Sequence, residues 1–336
     1  MQMKKINIKT FLIFTGISIA CLSACKKDKT NDASETESSK VVKNYSIPGF
    51  NGDSAFAFVK KQVDFGPRVP GSEAHKKTQQ WLIDKLKSYG AEVEIQKFDA
   101  NFVLGFSAKS SNIIAKFNPG KNKTVLIAAH YDSRKIAEKD PDPSKKDLPI
   151  DGADDGASGV GIIMELARIL KDNPVDISVD FVLFDAEDNG NETSDDSWCL
   201  GSQYWSKEAA KNNYKADFGI LLDLVGAKGA VYPKEYVSKM YAEELQTVIW
   251  NLAAGMGYGD LFANIERGSV NDDHLYVNRD AKIPMVDIIN MPDPNGGFGA
   301  YHHTHSDNIN IIDKNTLRRT GQVVTAFIYK YANDDL

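Results

Sequence analysis

Three short apolar runs constrain the fold of this 336-residue chain more than any other feature: "TVLIAAH" at 124–130, "ISVDFVLF" at 177–184 and "FGILLDL" at 218–224. They lack the polar/apolar alternation of a half-exposed strand, so each reads as a strand covered on both faces. "EVEIQKF" at 92–98 does alternate and is expected to be exposed on one side. Between these runs lie segments with helical spacing, at about 157–171, 201–211, 237–256 and 313–331. A further one, "SEAHKKTQQWLIDKLKSYG", places Leu82, Leu86 and Tyr89 on one face, with Ser72 to cap its start and Gly90 to end it. Strand–helix alternation predicts an α/β protein, a three-layer α/β/α sandwich around a central mixed, mostly parallel twisted sheet.

The first 25 residues stand apart from that pattern. Lys4, Lys5 and Lys9 precede "FLIFTGISIACL", an apolar core too short to span a bilayer, so the segment reads as an export signal. It ends in "LSAC", which resembles a bacterial lipobox and implies that Cys25 carries lipid as the mature N-terminus. Residues 26–44 are polar and cannot bury enough area to offset ordering, as expected of a flexible tether. The reading is therefore a signal at 1–25, a tether at 26–44 and a single domain at 45–336. Such a protein is an exported lipoprotein on the periplasmic face or surface of the outer membrane, touching membrane only through its anchor, and a monomer is expected. Cys21 leaves with the signal, so Cys199 is the one thiol of the domain and no internal disulfide forms; in "WCLGS" it is expected to be small core filling. A net charge of -6 offers no basic footprint and excludes nucleic acid as a partner.

The chemistry-bearing residues share one address. His130 and Asp132 follow the first apolar run, Glu187 and Asp188 follow the second, and Asp223 lies near the end of the third. Asp154 and Asp155, in "DGADDGASG", precede a helix. In an open α/β sheet the carboxyl ends of the strands line the crevice where ligands bind. Carboxylates gathered there repel one another unless a cation compensates, which is a physical argument for a metal. "GAYHHTHSDN" at 299–308 adds three of the six histidines, and imidazole with carboxylate ligation suits zinc.

At this point the motifs resemble a known family. "AHYDS", "GADDGASGV", "FDAED", "LLDLVGA", "DDH" and "HTHSD" occur in the order and approximate spacing of the zinc aminopeptidase superfamily, across nearly all of 55–333. Within it, "HYDS", "LLDLVGA", "DDH" and "WCLGSQYW" are similar to glutaminyl cyclase (glutaminyl-peptide cyclotransferase), in its bacterial lipoprotein form. Asp272 discriminates, because the aminopeptidases usually carry a small hydroxyl residue there. The resemblance implies Asp155, Asp188 and His303 as ligands of one zinc per chain, with Glu187 as general acid/base. It implies Asp223 and Asp272 as a pair of catalytic acids hydrogen-bonded to each other and to Glu187, sharing a proton. Asp188 stands where the family mostly has Glu, Asp287 where animal cyclases carry His, and His302 where they carry Trp. Trp198, Phe298, Tyr301 and His302 are candidates for the pocket wall, and His130 and Asp287 for a second metal or for support behind the first.

The implied reaction turns the N-terminal glutamine of peptides or proteins into pyroglutamate with release of ammonia. Two competing readings stay open. His130, Asp155, Asp188, Asp223 and His303 could hold two zinc ions of an aminopeptidase, and the same scaffold could be a silent binding lipoprotein, although an unliganded Glu187 beside a metal has no use there.

Overall fold

The computed structural model describes residues 45–336; the expected signal at 1–25, its Cys25 and the tether at 26–44 lie outside the described residues. Two helices lead in. α1 (Gly52–Val63) is capped by the Asn51 side chain, which accepts from Ser54 N–H, and α2 (Glu73–Ser88) by the Ser72 hydroxyl, which accepts from His75 N–H at 3.1 Å. The expected face of α2 is buried at Leu82, Leu86 and Tyr89. Gly90, at φ +93°, then takes a backbone conformation that side chains disfavour and turns the chain out of the helix.

The three apolar runs become β3 (Thr124–His130), β4 (Ser178–Phe184) and β5 (Phe218–Asp223), preceded by the hairpin β1 (Glu92–Phe102) and β2 (Phe106–Phe117). α3 (Ala157–Asp172) and α4 (Leu200–Lys211) are the expected connections. Further on come β6 (Tyr232–Lys234), α5 (Tyr236–Gly255), β7 (Phe262–Glu266), the one-turn α6 (Asp273–Tyr276), β8 (Met285–Ile289) and α7 (Lys314–Ala332). Among the described residues, no helix is long and apolar enough to cross a membrane.

The main sheet has the order β1-β2-β4-β3-β5-β8. β4, β3, β5 and β8 run parallel, and the hairpin joins antiparallel at one edge. Alternate residues of each central strand enter different cores. Val125, Ile127 and Ala129 pack with α1, α3 and α7, whereas Leu126 and Ala128 pack with Trp205 and Ala209 of α4. Each fully buried residue such as Phe181 or Leu126 contributes about 1.5–3 kcal/mol through lost apolar exposure, which is why these runs are largely apolar, with the buried Asp180 of β4 taking the Tyr214 hydroxyl. The four parallel strands end on the same side. That common edge brings His130, Glu187 and Asp223 together.

Candidate active site

β4 ends at Phe184, and the acidic segment after it divides its labour. Asp185 turns inward to a buried structural site: Oδ1 lies 2.8 Å from His75 Nε2, and Oδ2 accepts from Ser111 N–H at 2.7 Å and Tyr131 hydroxyl at 3.0 Å. Ala186 then adopts φ +60°, which redirects the chain. Asp132, just past β3, accepts from Glu187 N–H at 3.0 Å and from Asp188 N–H at 3.3 Å, fixing the backbone from which both acids project. Asp188 points to His303 and Glu187 to the pocket. Ala186, Cys199, Leu224 and His303 all have positive φ, and such strained backbone gathers at functional sites.

The Asp154–Asp155 pair is positioned by Asp307, whose carboxylate accepts from both backbone N–H groups at 2.7 and 3.1 Å. Asp154 is consumed structurally, taking Gly226 N–H at 2.6 Å and the Tyr301 hydroxyl. Asp155 faces the site. His303 Nε2 lies 3.2 Å from Asp188 Oδ1 and 3.8 Å from Asp155 Oδ2, so the three expected ligands converge. Asp188 Oδ2 is buried with no hydrogen-bond partner, as a metal-facing oxygen would be without its metal. Two carboxylates, one imidazole and an orphaned oxygen fit a catalytic zinc.

A second group adjoins the first through Asp155. His130 Nε2 lies 3.1 Å from Asp155 Oδ1 and 3.2 Å from Asp223 Oδ1. Gly156, at φ +86°, makes this approach possible, since a Cβ there would sit 2.8 Å from the Asp132 carbonyl oxygen and 2.9 Å from the His130 ring.

The electrostatics agree with a cation. Burial and the charge of Asp155 push Asp188 up to about 6, and burial and Asp272 push Asp223 up to about 8 against the pull of His130. Glu187 is raised well above the usual carboxylate range by burial and by Asp188, Asp272 and Asp273, with His130 opposing. Asp155 is held below that range despite its burial by the hydrogen bond and charge of His130. Burial would lower His303, but Asp188 and Glu138 raise it to about 9. Acids crowded this way are relieved by a positive ion among them.

Two expectations are corrected. Asp223 does not take Asp272 as its partner; its hydrogen bond is with His130, because parallel β3 and β5 are adjacent and end side by side. Asp272 instead caps α6 through Asp273 N–H at 2.5 Å and faces Asp287 of β8, whose pKa is raised well above the usual range by burial and by Asp272. Neither Asp287 oxygen nor Asp272 Oδ2 has a hydrogen-bond donor, and His274 Nδ1 lies 3.9 Å from Asp287 Oδ2, so two acids this close are suited to share a proton. Asp272 still reaches Glu187, with carboxylate oxygens of Glu187 and Asp272 and Cys199 Sγ all within 4.8 Å of one another. Tyr301 does not line the pocket, because its hydroxyl is held by Asp154 and by Asn290 Nδ2 at 3.0 Å.

Trp198, Phe298 and His302 do line it, around a cavity of about 280 Å³ at the small end of the range for ligand pockets. Trp198 stacks on His303 with centroids 5.9 Å apart, and the Arg134 guanidinium lies 4.8 Å above the indole. Phe298 packs on His302 at 4.4 Å, and burial and the neighbouring His303 push His302 well below its ordinary value.

Several residues here were not anticipated from sequence. Cys199 is core filling as expected, yet its thiol also donates to Glu187 Oε1 at 3.3 Å. Arg134, Glu138 and Lys139 all come from the long connection 131–153. Arg134 Nε donates to Glu138 Oε2 at 2.8 Å and its NH1 to the Asp188 carbonyl at 2.7 Å. Glu138 Oε1 lies 2.6 Å from His303 Nδ1, and Lys139 Nζ lies 3.1 Å from His302 Nδ1. The length of that connection, unusual in a compact domain, is the signal the sequence carries for the region; no local pattern singles out these three.

Comparison with known proteins agrees with the geometry. A sequence profile described as peptidase family M28 matches residues 112–328. A glutaminyl-peptide cyclotransferase of Gloydius blomhoffii is 26% identical over 298 residues, covering 79% of this chain and 78% of that one. Among solved structures, the glutaminyl cyclase of Porphyromonas gingivalis is 43% identical with a TM-score of 0.82, and a Zn-dependent exopeptidase of Parabacteroides distasonis 44% with a TM-score of 0.82. Each alignment covers 84% of this chain and 99% of the other.

Proposed function

This chain belongs to peptidase family M28, and from that premise we propose that it is a zinc-dependent glutaminyl-peptide cyclotransferase, using one zinc to convert N-terminal glutamine of peptides and proteins into pyroglutamate and ammonia. The observation that carries this reading is Asp272, buried and facing Glu187 beside the convergent Asp155, Asp188 and His303. The likeness to proteins named glutaminyl cyclase supports it.

Asp155, Asp188 and His303 would hold the zinc, which when bound supplies a Lewis acid for the side-chain amide carbonyl. The small pocket folds the glutaminyl side chain back so that the α-amine nitrogen approaches the amide carbon, a unimolecular arrangement that avoids the entropy of a second reactant. Glu187 accepts a proton from the amine as the ring C–N bond forms. It returns that proton to the leaving nitrogen as the original C–N bond breaks and ammonia departs. Asp272 and Asp287, sharing one proton, place a single negative charge behind Glu187 and keep its carboxyl basic. The cysteine thiol on Oε1 fixes the rotamer of the carboxylate.

A second reading has its own observation. His130, Asp155 and Asp223 offer ligand atoms within 4.8 Å of one another, the makings of a second zinc position in a peptidase. Mass spectrometry of one peptide beginning with Gln and one beginning with Leu separates the two. Loss of one ammonia from the first with the second untouched is the expected result; stepwise shortening of either overturns it. Two zinc ions per active chain would speak for the peptidase. The export signal and the lipobox Cys25 make the cellular setting a lipid-anchored protein at the outer membrane, which globomycin-sensitive palmitate labelling of the full chain tests.

A further inference from the structure

Glu138 and Lys139 are consecutive residues of opposite charge, and each reaches the Nδ1 atom of one of two consecutive histidines. Glu138 Oε1 lies 2.6 Å from His303 Nδ1, and Lys139 Nζ lies 3.1 Å from His302 Nδ1. A carboxylate can only accept and an ammonium can only donate. His303 therefore carries a proton on Nδ1, and Nε2, which faces Asp188 and Asp155, is the atom that would supply its lone pair to a bound metal. His302 must accept at Nδ1, so this ring is neutral and keeps its proton on Nε2, 3.7 Å from Asp155 Oδ2. The two rings stack with centroids 3.7 Å apart, and Phe298 packs against His302. The arrangement is braced at both ends: Lys139 N–H donates to the His303 carbonyl at 3.3 Å, and Arg134 holds the other oxygen of Glu138.

We propose that the Glu138–Lys139 pair sets the two imidazoles in opposite tautomers, making His303 a metal ligand and His302 an N–H donor to the side-chain amide oxygen of the bound peptide. His302 lies on the pocket wall and presents no lone pair to a metal at Nε2, although its position beside Asp155 and His303 would otherwise suit a ligand. The donor role rests on the glutaminyl reading of the pocket; the tautomer assignment does not. Lys139 acts through His302 and is a positioning residue.

Long-range 1H–15N correlation spectra of the labelled domain test the assignment without turnover, with His302→Phe used to identify the ring. His302 is expected to show a pyridine-type Nδ1 and a pyrrole-type Nε2 with and without zinc. Lys139→Met should lose that preference and Lys139→Arg should keep it. With 113Cd in place of zinc, coupling is expected to His303 Nε2 and not to His302. Coupling to His302, or a proton on its Nδ1 in the unmodified protein, overturns the assignment. In kinetics, His302→Phe should bind zinc normally and lower kcat/KM for a Gln peptide about ten- to a hundredfold. An unchanged kcat/KM overturns the donor role. A protein that cyclises no Gln peptide defeats the glutaminyl reading and the donor role with it, while the spectra still decide the tautomers.

Discussion

Replacing Glu187 by Gln changes one carboxylate oxygen to an amide nitrogen and leaves the side-chain volume alone. The geometry predicts what survives. The Cys199 thiol, 3.3 Å from Oε1, can still donate to the amide oxygen, and the Glu187 and Asp188 backbone N–H groups remain on Asp132. Asp155, Asp188 and His303 are untouched, so zinc content should equal that of the unmodified protein. What is lost is a group that both takes and returns a proton. A single general acid/base contributes about 10²–10⁴-fold, and one that serves both halves of the reaction belongs in the upper part of that range. A fall in kcat of about 10³–10⁴-fold is expected, or about 4–5.5 kcal/mol in the barrier. Glu187 must be ionised to accept the amine proton, and burial with neighbouring Asp188 and Asp272 raises its pKa. Activity should thus increase with pH along an acidic limb lying above the usual carboxylate range, and the limb should vanish from the residual activity of the variant. The assay is ammonia release from a Gln peptide across pH, with zinc measured by elemental analysis on the same samples. A variant with full zinc and more than about a tenth of the activity would refute the role of Glu187.

Other outcomes follow from the same geometry. Asp155→Asn should weaken zinc binding by more than the roughly 10–100-fold that losing a group behind a ligand costs, read by competition with a chromophoric chelator. Asp185 Oδ1 would lose its buried donor in His75→Leu, at a cost of about 2–4 kcal/mol in urea denaturation. Burial would lower the His75 pKa, but Asp185 raises it. Its contribution is therefore complete below about pH 6.5 and declines as pH rises through the folded value, so the gap between unmodified protein and variant should narrow toward alkaline pH; a gap that widens there refutes the pairing. Gly156→Ala combines a positive φ with contacts to the Asp132 carbonyl and the His130 ring, and should cost about 2–4 kcal/mol. Gly90→Ala has a similar φ but open space around it, so melting temperatures of the two variants that coincide would contradict the steric account.

Strands β3, β4 and β5 were legible because a strand buried on both faces needs a continuous apolar run, and that requirement is written in consecutive residues. Helices α2, α3, α4, α5 and α7 were legible for the same local reason, as the Ser72 cap and the Leu82, Leu86 and Tyr89 face of α2 illustrate, whereas α1 was not anticipated. Even the address of the site followed, since parallel strands share a carboxyl edge and acids collected there need a compensating cation. Short elements such as β6 and β7 carry too few residues for a period to emerge. Partner choice was decided by tertiary structure alone. Asp154 and Asp155 are adjacent acids, yet one is held by Tyr301 and Gly226 while the other faces His303. Asp223 meets His130 because β3 and β5 are neighbours, and Asp272 meets Asp287 because α6 begins over β8. Glu138 and Lys139 reach His303 and His302 across 165 and 163 residues of chain. Periodicity and propensity act over one or two turns, whereas a hydrogen-bond partner is chosen by how the folded chain closes on itself. The sequence alone therefore determines the strands, the helices and the acids at their ends, and only closure of the chain determines which acid holds which histidine.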